Sequence, residues 1–323
     1  MKAHFGIAAL LFVLFCTLNT SVSEDQISSA AGQDKPKAPL SQRIGHTDHS
    51  KAFAGKLVHQ GAGTLYMQTL LGRDAIAGLN FMHKGPLMPK SSIGHHFHLD
   101  SDEMFLILDG DCEFTVNGRT SVLPGPIGVP CKSGNSHAVY NPSDKPVEWV
   151  NFNVRCPNAA SGGFAPKGTY NFSADPLTLF NLNDDMVGAK LEKPNFIHTA
   201  KLTKDMMQQI ANMNGGKDSV WYRRALSPSV FASNWAFVDH LLVPPGASVG
   251  RHFHSGVEEV YLVIKGKGRI AVNEETAELI NGDAVPIRAG EIHSLENTSN
   301  EPFEFIIYGV ALEKGKLDIS TVK

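Results

Sequence analysis

The sequence predicts an all-β chain made of two tandem copies of one unit, joined by a partly helical segment. Two regions read as short apolar-alternating runs bounded by turn residues, and corresponding residues in the two regions keep a constant spacing. Between them the periodicity changes. The 30 glycines and 18 prolines among 323 residues supply the turns that a short-stranded β architecture needs.

The chain opens with Lys2, an apolar run over Ile7–Cys16 and the small residues Ser21-Val22-Ser23. A charged start, an apolar stretch and a small-x-small site define a secretory signal peptide over residues 1–23. The run falls short of the ~20 residues that a spanning helix requires, which weighs against a membrane anchor. Phe15 before Cys16 is a poor match to a lipoprotein cleavage site. The expected location of the mature chain is therefore secreted or periplasmic. Residues 24–56 form a lead-in, and from Glu24 to Gln42 its Ser, Ala, Gln, Asp, Lys and Pro content is that of a tether or disordered stretch.

The first β-rich unit covers 57–156. Within it Phe105–Gly110 and Cys112–Gly118 read as a hairpin-like pair ending in Asn117-Gly118, a tight-turn signal. An inter-domain segment follows over 157–218, where Leu202–Met213 has helical apolar spacing and Gly215-Gly216 stops it. The second unit spans 219–312, with Tyr261–Gly266 and Arg269–Asn273 mirroring the first pair, and 313–323 is a C-terminal tail.

Subtraction tests the mirroring. His96 to His252, His98 to His254, Glu103 to Glu259, Gly110 to Gly266, His137 to His293 and Asn141 to Asn297 are each 156 apart. Six markers at one offset describe a duplicated unit without net insertion.

Those markers carry chemistry. On a strand, residues i and i+2 share a face, so His252 and His254 project together while Phe253 points away. Glu259 opens the next strand after a short turn, and His293 arrives from a later one. His96, His98, Glu103 and His137 repeat the set in the first unit. A lone His-x-His is ordinarily a pair of surface histidines. Two complete sets at one spacing are different, because buried imidazoles and carboxylates are costly without a partner that satisfies them. Three imidazoles and a carboxylate suit a divalent transition metal with positions left open for substrate, and manganese, iron, copper, nickel and zinc all accept that donor set.

His96-Phe97-His98 with Glu103 and Gly110, then His137 with Asn141, resemble the two signature motifs of the cupin superfamily, and the second unit resembles them more closely. The resemblance covers roughly 200 residues and implies a bicupin: two jelly-roll-like antiparallel barrels, each with a three-His, one-Glu metal centre. Lys90 replaces the glycine found at Gly246, Gly125-Pro126 replaces Gly282-Asp283, and Arg288 replaces a mid-motif proline. These are turn positions, so they bear on loop shape rather than on the ligands.

Bicupins with intact ligands are similar to manganese oxalate decarboxylases and to flavonol-type dioxygenases. Met104-Phe105-Leu106-Ile107 lacks the tryptophan-rich strand of the first group. The expected function is thus a metal-dependent oxygenase acting on a small oxygenated organic anion or enol. A non-oxidative decarboxylase, isomerase or lyase on a keto or sugar acid is the alternative, and a metal- or ligand-binding protein without catalysis is another. Seed-storage bicupins have generally lost the ligands, and here all eight are kept.

Glu103 and Glu259 are the expected proton-handling carboxylates. Alternation puts Phe105 and Tyr261 on their faces, so Tyr261 offers a hydroxyl where the first unit has a phenyl ring, either for catalysis or as a core aromatic. Together with the more regular motif, Tyr261 favours the second barrel as the site of turnover. His95 and Arg251 are expected to point outward at the rim. Glu258 is an adjacent alternative to Glu259, and Arg223-Arg224 read as solvated. Asn171-Phe172-Ser173 is a glycosylation sequon for a eukaryotic source.

The formal net charge of −3, without blocks of like charge, gives no basic field for nucleic acid or anionic membrane. The expected partner is a small-molecule substrate, with no nucleic acid and no membrane after leader cleavage; a homo-oligomer is compatible with the sequence. Loss of Cys16 with the leader leaves Cys112, Cys131 and Cys156, an odd number that permits at most one internal disulfide.

Overall fold

Alternation of buried and exposed side chains, repeated over runs of four to nine residues, can be satisfied only by sheets that hide one face. In the computed structural model two such pairs of sheets form. The structure describes residues 38–157 and 198–322, with the backbone of Thr169–Tyr170. The proposed leader, most of the segment over 157–197 and the Asn171 sequon lie outside the described residues.

The first unit contains β1 (Phe53–Lys56), β2 (Thr64–Leu71), β3 (Leu79–Leu87), β4 (Ser92–His98), β5 (Ser101–Ile107), β6 (Asp111–Val116), β7 (Arg119–Pro124), β8 (Ile127–Cys131), β9 (Ser136–Tyr140) and β10 (Val147–Arg155). Two short strands follow, β11 (Thr169–Tyr170) and β12 (Ala200–Lys201). The second unit contains β13 (Gln208–Ala211), β14 (Ser219–Leu226), β15 (Trp235–Val243), β16 (Ser248–Phe253), β17 (Val257–Lys265), β18 (Lys267–Val272), β19 (Glu275–Ile280), β20 (Ala284–Ile287), β21 (His293–Glu296) and β22 (Phe303–Ala311), and β23 (Ser320–Thr321) closes the chain.

Each unit is a sandwich of two antiparallel sheets. In the first, β1-β2-β3-β10-β5-β8 faces β4-β9-β6-β7; in the second, β13-β14-β15-β22-β17-β20 faces β19-β18-β21-β16. Corresponding strands lie in the same order, so the duplication seen in the sequence is a duplication of topology. Inner faces make the two barrel cores, with Phe105, Phe114 and Trp149 in one and Tyr261, Phe303 and Phe305 in the other. The opposite faces of β3, β10 and β5 pack against those of β15, β22 and β17 through a third core that includes Phe152, Trp235 and Tyr308. Sheets buried on both faces explain why β5 and β15 are buried at every position.

Several expectations are corrected. No helix forms over 202–213. That stretch is a 3₁₀ turn at Lys204–Met206, strand β13 and a second turn at Met213–Gly215. Its apolar spacing serves two different surfaces: Leu202 and Met207 are buried, while Ile210 and Met213 pack on the second barrel core. Pairing of β13 with β14 captures the backbone, and positive φ at Asn212 and Asn214 breaks any helical run. The second unit therefore starts at β13, before 219, and the first starts at β1, before 57.

Nor is the described part of the lead-in a free tether. Leu40–Arg43 makes one helical turn, Leu40 and Ile44 enter the second barrel core, and Gly45 bridges Ala284. Segment β12, which precedes the second barrel, pairs with β8 of the first through Ala200 and Gly128. Each barrel is thus strapped by the chain that leads into the other. Cys112, Cys131 and Cys156 are all free thiols, so no disulfide forms among the described residues.

Two candidate metal centres

The first two histidines of each set stand on β4 and β16, and their aim depends on an irregularity. Register slips between Ile93 and His96 on β4, and between Val249 and His252 on β16. The bulge turns both imidazoles inward, where His96 pairs in register with His137 of β9 and His252 with His293 of β21. Glu103 and Glu259 come from β5 and β17 in the facing sheet, so each centre bridges the two sheets of its barrel. The turns leading into β4 and β16 match despite their sequence difference: Lys90 has φ 55° and Gly246 has φ 75°. Asn141 and Asn297 close the far side, each donating Nδ2 hydrogen bonds to Leu87 and Lys145 carbonyls or to Val243 and Glu301 carbonyls. The asparagine in the repeated pattern is thus a turn fastener.

All eight predicted ligands converge as two buried groups, His96–His98–Glu103–His137 and His252–His254–Glu259–His293, with ligand atoms in each group within 4.8 Å of one another. In the first, Glu103 Oε2 lies 2.6 Å from Nε2 of His98, 3.0 Å from Nε2 of His137 and 3.7 Å from Nε2 of His96. In the second, Glu259 Oε2 lies 3.1 Å from Nε2 of His293 and 3.5 Å from Nε2 of His254.

The opposite ring nitrogens are committed elsewhere. Nδ1 of His96 faces the Gly94 carbonyl at 2.7 Å, His252 that of Gly250 at 2.9 Å and His293 that of Glu291 at 3.1 Å. Nδ1 of His254 faces the Asp318 carbonyl. Such contacts fix the tautomer and leave each Nε2 lone pair directed at the centre.

Electrostatics give the same donor set. Burial, with the neighbouring imidazoles, lowers His96 to about 3 and His137 to about 4, and drives His252 well below its ordinary value. Burial alone would raise the two carboxyls, but His98 and its neighbours hold Glu103 well below the usual range, and His254 and His293 hold Glu259 near about 2. Each group thus offers an ionised carboxylate, and His96, His137 and His252 are held as neutral imidazoles, the forms that metal coordination demands. Glu103 Oε2 is shielded from water and no donor makes a sound hydrogen bond to it. A divalent transition metal held by these four residues would satisfy that atom, so the residues fit the group.

A family model described as a cupin domain matches residues 86–153 and 239–309, one match in each barrel. The oxalate-binding protein of Thermotoga maritima is 35% identical over 99 residues, covering 31% of this chain and 82% of that protein. The chain belongs to the cupin family. It is a bicupin, and solved bicupins share its fold. A point mutant of Bacillus subtilis oxalate decarboxylase superimposes with TM-score 0.59 at 16% identity, covering 89% of this chain and 81% of that one. The oxalate decarboxylase of Lactobacillus farciminis in complex with formate superimposes with TM-score 0.58 at 15% identity, covering 88% and 89%.

Around the ligands the two barrels of this bicupin differ. Tyr261 sits beside Glu259 as expected, its hydroxyl 3.2 Å from Glu259 Oε2 and 3.1 Å from His293 Nε2. Burial, reinforced by Glu259, raises its pKa far above the ordinary range, so it stays a donor. Phe105 takes this place in the first barrel and stacks flat on His137, centroids 4.4 Å apart. Glu258 turns away from the centre to the Ala77 N–H of the other barrel, so Glu259 is the carboxylate at the candidate centre. His95 is buried and bonded to Ser136 Oγ rather than placed at the rim, whereas Arg251 is exposed. Arg224 is not solvated: it grips Asp239 at 2.9 and 3.0 Å, because Asp239 is buried on the facing strand, and Arg223 donates to the Lys201 carbonyl.

Sequence reasoning missed four contributors. His59 stacks on His96, ring centroids 3.7 Å apart, from a turn where it holds φ 51°. Asp318, in the expected tail, anchors Ser255 and Gly256 by their N–H groups and orients His254. His83 and Asn151 face the first centre from β3 and β10. Nothing in the residue types of the last two separates them from ordinary polar residues of a strand.

Proposed function

We propose that the protein is a metal-dependent enzyme that takes a small oxygenated organic anion or enol at its second barrel and consumes dioxygen. The observation that carries this reading is the Tyr261 hydroxyl set between Glu259 Oε2 and His293 Nε2. A divalent metal held there would act as a Lewis acid toward two neighbouring substrate oxygens. The chain's own groups then move the proton. Glu259, an ionised carboxylate, accepts the substrate's enol proton, and Tyr261 holds that carboxylate in place by donating to it. Glu103 offers the same base in the first barrel, without a hydroxyl beside it.

A second reading is redox-neutral decarboxylation. The name of the Thermotoga maritima relative and the titles of the superimposed structures favour it, all of which concern oxalate. Elemental analysis of purified protein, followed by oxygen-electrode assays on enediols, catechols and oxalate, separates the two. Oxygen uptake with an enediol or catechol supports the oxygenase. Carbon dioxide released from oxalate without net uptake overturns it for decarboxylation. Stoichiometric metal with neither activity leaves a binding protein, and absence of stoichiometric metal refutes every enzymatic reading. We also propose export by the leader over residues 1–23, tested by the N-terminal sequence of the mature chain.

A further inference from the structure

The ligand sets are alike, but the next layer is not, and the strand registers allow a position-by-position comparison. On β10, Asn151 pairs with Phe105 on one side and His83 on the other. Its neighbours Val150 and Phe152 belong to the inter-barrel core, whereas Trp149 and Phe105 belong to the first barrel core. Alternation therefore points Asn151 and His83 into the first barrel, one inward position along from Asn153, which pairs with Glu103. Two residues correspond to about 7 Å along a strand.

Asn151 is 7% exposed, and its Oδ1 is shielded from water without any hydrogen-bond partner. The His83 ring stacks on Phe81, centroids 4.3 Å apart, and makes no hydrogen bond among the described residues. Burial lowers His83 to about 4, so it is a neutral imidazole at neutral pH. An orphaned amide oxygen beside an uncommitted imidazole costs stability unless something polar meets them.

In the second barrel the matching positions are already satisfied. Ile307 replaces Asn151 opposite Tyr261, and Asp239 replaces His83. Asp239 accepts from Tyr222 Oη at 2.7 Å and is gripped by Arg224, so that layer is closed on itself.

We infer that the first barrel is a separate binding site, in which Asn151 and His83 hold a hydroxyl of a small hydroxylated monocarboxylate whose carboxylate end meets the metal centre. The pair offers a donor and an acceptor and no cation. A hydroxyl satisfies both groups, and a second carboxylate would face Oδ1 without a countercharge. The separation of about two strand residues fits a chain of about three carbons. The two barrels thus serve different ligands. This rests on the reading that each centre holds a metal and takes an oxygenated anion.

Calorimetric titration of full-length, metal-loaded protein tests it, with the second centre emptied by His252→Ala so that only the first reports. The probes are glycerate, lactate (which lacks the 3-hydroxyl) and malonate. One buried hydrogen bond predicts that glycerate binds about tenfold more tightly than lactate, with malonate weaker than glycerate. Asn151→Ile, the second barrel's own residue, should bring glycerate to the affinity of lactate while leaving lactate binding and the first-site metal unchanged. His83→Phe, which keeps the stacking on Phe81, should reduce the preference in the same direction. Equal binding of glycerate and lactate to the parent protein, a preference that survives Asn151→Ile, or malonate as the tightest ligand overturns the assignment. If none of the three anions binds the loaded protein, the reading of the centre as an anion site fails as well.

Discussion

Asp102 and Glu258 stand 156 residues apart, each immediately before a metal-centre glutamate, and each accepts hydrogen bonds from the backbone of the opposite barrel. Asp102 Oδ2 receives Ala232 and Ser233 N–H groups at 2.8 and 2.6 Å, while Glu258 Oε2 receives Ala77 N–H at 2.5 Å. Ala77 and Ser233 are themselves 156 apart. The two barrels therefore clasp each other by a pseudo-twofold exchange. Each clasp is made by the chain neighbour of a ligand, and the swapped straps at Gly45–Ala284 and Ala200–Gly128 repeat the symmetry.

The clasp is unequal, which gives the first prediction. Asp102 is completely buried and its other oxygen also receives Ser133 N–H at 2.7 Å. Glu258 is only partly buried, and its other oxygen meets Ala289 N–H at a long 3.4 Å. Asp102→Ala would orphan three backbone donors, that of buried Ser233 and those of half-buried Ala232 and Ser133, and should cost about 3 kcal/mol, against about 1 kcal/mol for Glu258→Ala. Urea denaturation with the slope checked for two-state behaviour measures both. Equal losses would show that the clasp is not the asymmetric joint described above.

The second prediction concerns metal retention. His252→Ala removes one ligand of the second centre and none of the first, so metal content should fall by about half. Loss of both metals would mean that the centres load together. Asp318→Ala is subtler: it releases Ser255 and Gly256 and so loosens the segment whose Asp318 carbonyl orients His254. Loss of such an orienting contact typically weakens metal affinity about tenfold or more. Chelator competition should show one centre weakened and the other unmoved.

Which of these features the sequence displayed follows from how local their causes are. The eight candidate ligands were legible because strand alternation and a constant offset place them without knowledge of the fold. Tyr261 was legible for the same reason. The clasp was not: Glu258 reads only as a neighbour of a ligand, and its partner Ala77 lies 181 positions away. The stretch over 202–213 misled because Leu202, Met207, Ile210 and Met213 serve two surfaces, and helical spacing assumes one. Likewise the polar lead-in gave no sign that Leu40 and Ile44 insert into the second barrel, since two apolar residues carry little pattern. Arg224 read as solvated because its partner Asp239 belongs to the facing strand.

Tyr261→Phe gives the third prediction. The change makes the second centre resemble the first, where Phe105 occupies the same place. All four ligands are retained, so metal content should be unchanged. Loss of the hydroxyl that holds the proton-accepting carboxylate in place can cost about 10² in rate through misplacement of the base. Turnover in the oxygen-uptake assay should fall by about that factor. An unchanged rate would move the chemistry away from this hydroxyl.

Acid sensitivity of the metal-free protein gives the fourth. His83 and His137 are lowered to about 4 and His96 to about 3, all chiefly by burial. An unfolded histidine titrates near 6.5. Above that pH both states are neutral and the groups contribute no penalty. As the pH falls, the unfolded chain takes up protons that the folded barrel refuses, and stability is drained from about 6.5 down to the folded values near 3 to 4. Glu259, held at about 2, adds a loss that begins lower, near the ordinary carboxyl range, and runs down to about 2. The urea midpoint of metal-free protein should therefore drop steadily between pH 7 and pH 4, before most carboxylates titrate. With metal bound, the imidazole nitrogens are occupied, and the midpoint should hold until protons displace the ion. A metal-free midpoint that is flat over this range would show that the histidines are hydrated and the centres open to water.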